Sequence, residues 1–144
     1  MGKSNNWKKV EYKVAEKLGG RRVPVSGRAR GYKGDVEHEK YFIEVKSGKQ
    51  IPKKVLKWDK EIELGYKILK EKFDGILRLE KTDIPKKILK WIKKTEEECP
   101  KGKKPLLIMK PRYCHKEFVM WKSSSNKFYF TTLDEFIKKQ NENS

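Results

Sequence analysis

Trp7, Val10, Val14, Ala15 and Leu18 recur at helical intervals and Gly19-Gly20 behind them supplies a stop, so residues 7–18 read as an amphipathic helix. Glu11 lies one position from Val10, at the border of the apolar stripe. The next stretch, "RRVPVSGRARGYKG", holds too much Gly, Pro and Arg to continue a helix and reads as a short strand running into a loop. "DVEHEKYFIEVK" has the form of a hairpin, its polar turn at His38, Glu39 and Lys40. In its second strand Tyr41, Ile43 and Val45 share one face, and Phe42, Glu44 and Lys46 share the other.

Beyond the hairpin the chain repeats itself. "IPKKVLKW" at 51–58 returns as "IPKKILKW" at 84–91, each copy opening a helical run with proline in the first turn. The match points to a local duplication, with a segment around 53–83 inserted or copied. The apolar positions Val55, Ile62, Tyr66, Leu69 and Phe73 predict a helix over about 53–72, weakened by Gly65, and "GILRLEK" at 75–81 predicts a short strand. Ile88, Trp91, Ile92 and Thr95 predict a second helix over 84–98. "PLLIMK", "EFVMWK" and "KFYFTT" follow as three strands, and Thr132 with Glu135 gives the capping-box signature of a last helix through about Lys139. Helix, strands, helices, strands, helix is the order of an α/β domain with a mixed central sheet.

A length of 144 residues is one domain's worth of chain, so 1–144 is expected to fold as a single unit. Charge adds what periodicity cannot. Lys plus Arg number 37 against 20 Asp plus Glu, a formal net charge of +17, while 35% of residues remain hydrophobic. Such a chain can build a core, and its charge calls for a polyanion, nucleic acid first. Surface ion-pair networks of the kind that serve hot environments are the competing explanation for so many Lys and Glu. Cys99 and Cys114 alone make no disulfide framework. No apolar leader opens the chain, and its longest aliphatic run, "LLIM", is too short for a bilayer. The expectation is a protein of the cytoplasm, or of a host's cytoplasm if virus-encoded, with no membrane partner.

Glu44 and Lys46 project from one side of a strand with Cα atoms roughly 6–7 Å apart. Asp35 on the preceding strand can reach the same place, and Glu11 can approach if its helix packs on the sheet. Three carboxylates and an ammonium suit a hard divalent ion, Mg²⁺ with Mn²⁺ as substitute, rather than zinc. Such an ion binds a phosphate oxygen and activates water, and Lys46 would position that water or stabilise the pentavalent state; the chemistry is phosphodiester hydrolysis. The plain alternative for Glu44 and Lys46 is a structural ion pair. Acid is absent from Lys17 to Gly34, where Arg21, Arg22, Arg28 and Arg30 cluster; elsewhere the chain has only Arg78 and Arg112. Arginine is the better planar partner for phosphate, and the alternative for this segment is a solvated surface loop. Trp58, Trp91 and Trp121 fit core or interface better than base stacking, and His38, His115 and Cys114 lack zinc spacing.

"WKKVEYKVAEKL", "RVPVSG", "GDV" and "IEVKSG" together resemble the archaeal Holliday junction resolvases and their virus-borne relatives, members of the PD-(D/E)xK nuclease superfamily. The likeness covers residues 7–49 and resumes weakly at "PLLIMK" and "TTLDEF". It implies a restriction-endonuclease-like core with Glu11, Asp35, Glu44 and Lys46 as catalytic residues. Asp35, Glu44, Glu11 and the Val45 carbonyl would be the metal ligands. Arg22, Pro24 and Ser26 match the R-x-P-x-S segment near the scissile phosphate. DNA contacts are expected from Arg21, Arg22, Ser26, Arg28, Arg30, Lys33 and Lys49. The family acts as a homodimer on four-way DNA junctions and makes paired nicks that leave 5′-phosphates. Two departures stand out: Gly34 occupies the superfamily's proline position, and the inserted or duplicated segment around 53–83 falls where the family has the helix that follows the motif and any dimer surface built on it. The competing functions are a same-fold nuclease for flaps, mismatches or plain duplex, and a non-catalytic basic DNA-binding protein.

Overall fold

A computed structural model describes residues 6–23, 34–123 and 125–142. The first helix, α1 (Asn6–Leu18), leads into three antiparallel strands, β1 (Arg21–Arg22), β2 (Val36–Glu37) and β3 (Tyr41–Gly48). Helix α2 (Lys54–Leu69), strand β4 (Leu77–Leu79) and helix α3 (Lys86–Glu98) come next, then β5 (Lys104–Pro111), β6 (Phe118–Lys122), β7 (Phe128–Thr132) and α4 (Leu133–Glu142). The seven strands form one sheet in the order β1-β2-β3-β5-β6-β7-β4. Among the described residues only β3 and β5 pair in parallel, from Tyr41 opposite Lys104 to Gly48 opposite Pro111. Parallel neighbours need a long crossover, and here α2, β4 and α3 supply it.

Periodicity decides the layers. Tyr41, Ile43, Val45, Leu106, Ile108 and Val119 turn to one face and pack against Val14 and Ala15 of α1 and Leu133 and Phe136 of α4. Leu107, Met109, Phe118, Met120 and Phe130 turn to the other, against Val55, Trp58 and Ile62 of α2 and Ile88 and Ile92 of α3. The result is a sheet between two helical layers, the α/β architecture expected from the order of elements. Thr132 caps α4 as its sequence suggested: its Oγ1 accepts the Glu135 N–H at 3.2 Å.

Two details differ from the sequence reading. Burial along α2 stops at Ile62, and Tyr66 and Leu69 stay largely exposed. Beyond Ile62 the helix meets Phe73 instead, whose ring packs edge-on to Tyr66 with centroids 5.0 Å apart. Gly65 does not weaken this helix to no purpose. A Cβ there would come within 2.7 Å of the Phe73 ring, so glycine lets the chain fold back closely. The segment around 53–83 holds α2 and β4, and β4 joins the sheet at its far edge beside β7, away from β3.

Candidate active site

The hairpin of β2 and β3 is held by its turn. The Lys40 N–H donates to His38 Nδ1 (3.0 Å), which leaves Nε2 protonated to donate to the Leu18 carbonyl (3.0 Å). His38 is therefore a structural clamp between the turn and the end of α1. Beyond β2, Asp35 grips β3 twice. Its N–H donates to the Ile43 carbonyl at 2.9 Å, and its Oδ2 accepts the Val45 N–H at 2.8 Å. These are the two residues flanking Glu44, so the aspartate is anchored beside the glutamate. Backbone groups alternate along a strand, so Val45, like Ile43, turns its carbonyl toward this edge.

Glu44 and Lys46 leave the opposite face from Ile43 and Val45, toward α3. Lys46 Nζ stands 3.5 Å from Glu44 Oε1, and the two side chains are only 23% and 14% exposed. Burial and the nearby Asp35 carboxylate push the Glu44 pKa from 4.5 up to about 7, against the downward pull of Lys46 and Lys94. Two carboxylates crowded this closely cannot both stay ionised at little cost. That is the electrostatic condition a divalent cation would relieve, and Asp35, Glu44 and the Val45 carbonyl offer the oxygen donors a hard ion takes. The residues fit Mg²⁺ or Mn²⁺ by donor chemistry.

Glu11 is placed differently. It is buried, and its Oε1 accepts from Arg22 Nε at 2.9 Å. The Arg22 guanidinium also lies 5.3 Å from the ring centroids of both Trp7 and Tyr12, and its side chain is 11% exposed. Arg22, expected on the phosphate surface, thus faces inward and ties α1 to β1. Among the described residues no three His, Cys, Asp or Glu side chains gather as a metal group, so Glu11 does not form the expected trio with Asp35 and Glu44. The reason is positional: Arg22 lies opposite Val36, whose side chain packs with the α1 layer, whereas Glu44 points toward α3. Arg21 is exposed and donates to Glu37 Oε2 at 3.1 Å, and Lys49 is exposed in the turn after β3. Ser26, Arg28, Arg30 and Lys33 lie outside the described residues, as does Pro24.

Two neighbours of the site were not placed there by sequence reasoning, which read Trp91 as core or interface and did not name Lys94. Trp91 is half-buried on α3, its ring centroid 5.6 Å from Lys46 Nζ and 5.5 Å from Lys87 Nζ. Lys94 acts on Glu44 from the same helix. Lys87, Trp91 and Lys94 are spaced i, i+4 and i+7, a helical face that the sequence carries. What it lacked was the information that this face lies over β3. No family model, curated protein or solved structure matches the chain.

Proposed function

We propose that the chain is a Mg²⁺-dependent, structure-selective endodeoxyribonuclease that resolves four-way DNA junctions as a homodimer. The observation that carries this is the Asp35, Glu44 and Lys46 cluster, in which Glu44 is held near neutrality by burial and by a second carboxylate. A structural ion pair would be arranged to keep its carboxylate ionised; this one is crowded by like charge. The order of helix, antiparallel meander, helical crossover and parallel strand supports the restriction-endonuclease-like core that the sequence resemblance implies. The net charge of +17 supports a phosphate backbone as partner.

In this reading Asp35, Glu44 and the Val45 carbonyl hold the metal. When bound, the ion lowers the pKa of its water and stabilises the charge that develops on the phosphate. Asp35 orients through its two bonds to β3, and Glu44 must lose its proton before it can bind a cation. Lys46 offers an ammonium beside Glu44 for the attacking water or the phosphate oxygen, and the Trp91 ring limits where that ammonium can go. Arg22 and Glu11 set the position of α1 against the meander.

The test is cleavage of an immobile four-way junction in Mg²⁺ by wild type and Glu44→Ala. Wild type is expected to cut, and the variant to bind without cutting; nicking retained in Glu44→Ala overturns the assignment. Competition with excess linear duplex at moderate salt separates junction resolution from cleavage of flaps, mismatches or duplex. A non-catalytic DNA-binding protein would bind and never break strands. Paired nicks require two-fold symmetry, so sedimentation should report a dimer.

A further inference from the structure

Where the two parallel strands end, β3 and β5 open into a groove of about 510 Å³ whose wall on the other side is α1. The carboxyl ends of parallel strands are where α/β sheets tend to bind ligands. Lys9 and Lys13 of α1, Lys110 of β5 and Arg112 just beyond it line this groove, and among the described residues no acidic side chain does. Lys13 shares its charge with Glu117, 3.7 Å away, but is still half exposed. Ser47 and Gly48 form the edge nearest Lys46, only about 7 Å along the strand from it. The groove and the candidate active site are thus neighbours around the tip of β3.

Tyr113 also lines the groove. It is 88% exposed, yet its backbone sits at φ 62°, a left-handed conformation unfavourable for a bulky residue. The turn that holds it is closed by the Cys114 N–H on the Pro111 carbonyl, and the Arg112 guanidinium lies 4.8 Å from its ring centroid. A strained, solvent-facing aromatic backed by a cation serves no core. Strain retained at such a position points to a use. Val10 and Pro111 add apolar surface to the lining. Cations that track a backbone beside an aromatic face are what single-stranded nucleic acid requires, and the volume suits a single nucleotide, not a duplex.

We infer that this groove binds single-stranded DNA, as exposed where base pairs open at a branch point, with a base stacking on Tyr113 and phosphates lying along Lys9, Lys13 and Lys110. The inference rests on the nuclease reading for its neighbour, the active site, but not for its own geometry. The experiment measures binding of a labelled oligothymidylate about a dozen nucleotides long to the full chain in chelator. Tyr113→Gly removes the ring and suits the positive φ, so the fold is retained or gains stability while affinity falls roughly 5- to 100-fold. Tyr113→Trp restores binding, Lys110→Ala lowers the salt dependence by about one ion, and blunt duplex binding changes less than that of the oligonucleotide. Unchanged oligothymidylate affinity in Tyr113→Gly overturns the proposal. So does equal displacement by inorganic polyphosphate, which would reveal a site for bare anions. Cleavage of the junction in Mg²⁺ is scored separately. Wild type that cuts, with Tyr113→Gly that binds normally, removes the groove and keeps the nuclease; wild type that never cuts, with a Tyr113-dependent oligonucleotide site, does the reverse.

Discussion

Two carboxylates withdrawn from solvent, Glu44 in part and Glu117 fully, lie on opposite faces of the sheet and are treated in opposite ways. Glu117 just before β6 is 2% exposed and answers to lysines. Lys17 Nζ donates to its Oε1 at 2.7 Å and also to Asp134 Oδ1 at 3.0 Å, while Lys13 Nζ lies 3.7 Å from Oε2. Burial lowers the Lys17 pKa, but the bonds to Glu117 and Asp134 outweigh it and the net shift is upward. The Glu117 carbonyl also accepts the Leu133 N–H that starts α4 (2.8 Å). This glutamate pins α1 and α4 to the sheet. Glu44, its side chain 14% exposed, is less deeply placed but has a carboxylate and one close lysine for company, and its pKa moves up to about 7. Depth alone does not separate an acid that holds a fold together from one poised for chemistry; the balance of neighbouring charge does.

Four measurements would sharpen or break that contrast. The largest effect is expected on activity: Glu44→Gln should lower strand cleavage in Mg²⁺ on the order of 10³-fold, about 4 kcal/mol of transition-state stabilisation, with no loss in urea stability. Glu117→Gln should do the converse, costing about 2 kcal/mol in urea denaturation because it removes a charge-assisted bond, and leaving cleavage by the folded fraction unchanged. Lys17 is 26% exposed and can turn to water, which keeps the loss below that of a fully buried pair.

Third comes pH. A carboxyl whose pKa is 4.5 unfolded and about 7 folded binds more protons in the native state between those values, so stability falls as pH rises through that window. The decline should be on the order of 1–2 kcal/mol in thermal melts from pH 4.5 to 8, should flatten in Glu44→Gln, and should be offset by Mg²⁺ in wild type only. A melt that is independent of pH and Mg²⁺ in both proteins would remove the electrostatic basis for the site. Smallest is Lys46→Met, which takes away a cation that holds Glu44 down. The Glu44 carboxyl carbon in an NMR titration should then turn over at higher pH, whereas Lys13→Met should leave it in place.

Much of the architecture was legible in the chain. Helix α1, the β2–β3 hairpin with its two faces, the three later strands and the Thr132 cap follow from period and capping chemistry, which are local. The neighbourhood of Asp35, Glu44 and Lys46 was legible too, because a hairpin brings its own strands together. Glu11 was not, because its partner depends on which way α1 is rolled against the sheet. The roll is set by Val14 and Ala15 burying on Val36, Ile43 and Val45, and it aims Glu11 at Arg22.

The repeated octapeptide marks the boundary between the two kinds of information. Both copies start a helix and bury their isoleucine and their central Val55 or Ile88, as identical local chemistry dictates. The tryptophans part company: Trp58 is 1% exposed with its ring 5.0 Å from Phe130, while Trp91 stays half-buried beside Lys46. Helix propensity and the apolar stripe belong to the segment itself, so the sequence determined them twice over. What each tryptophan touches depends on which strand passes beneath its helix, β7 for one and the polar stretch of β3 for the other. Only the packing of distant segments settles that, since burial is a property of neighbours.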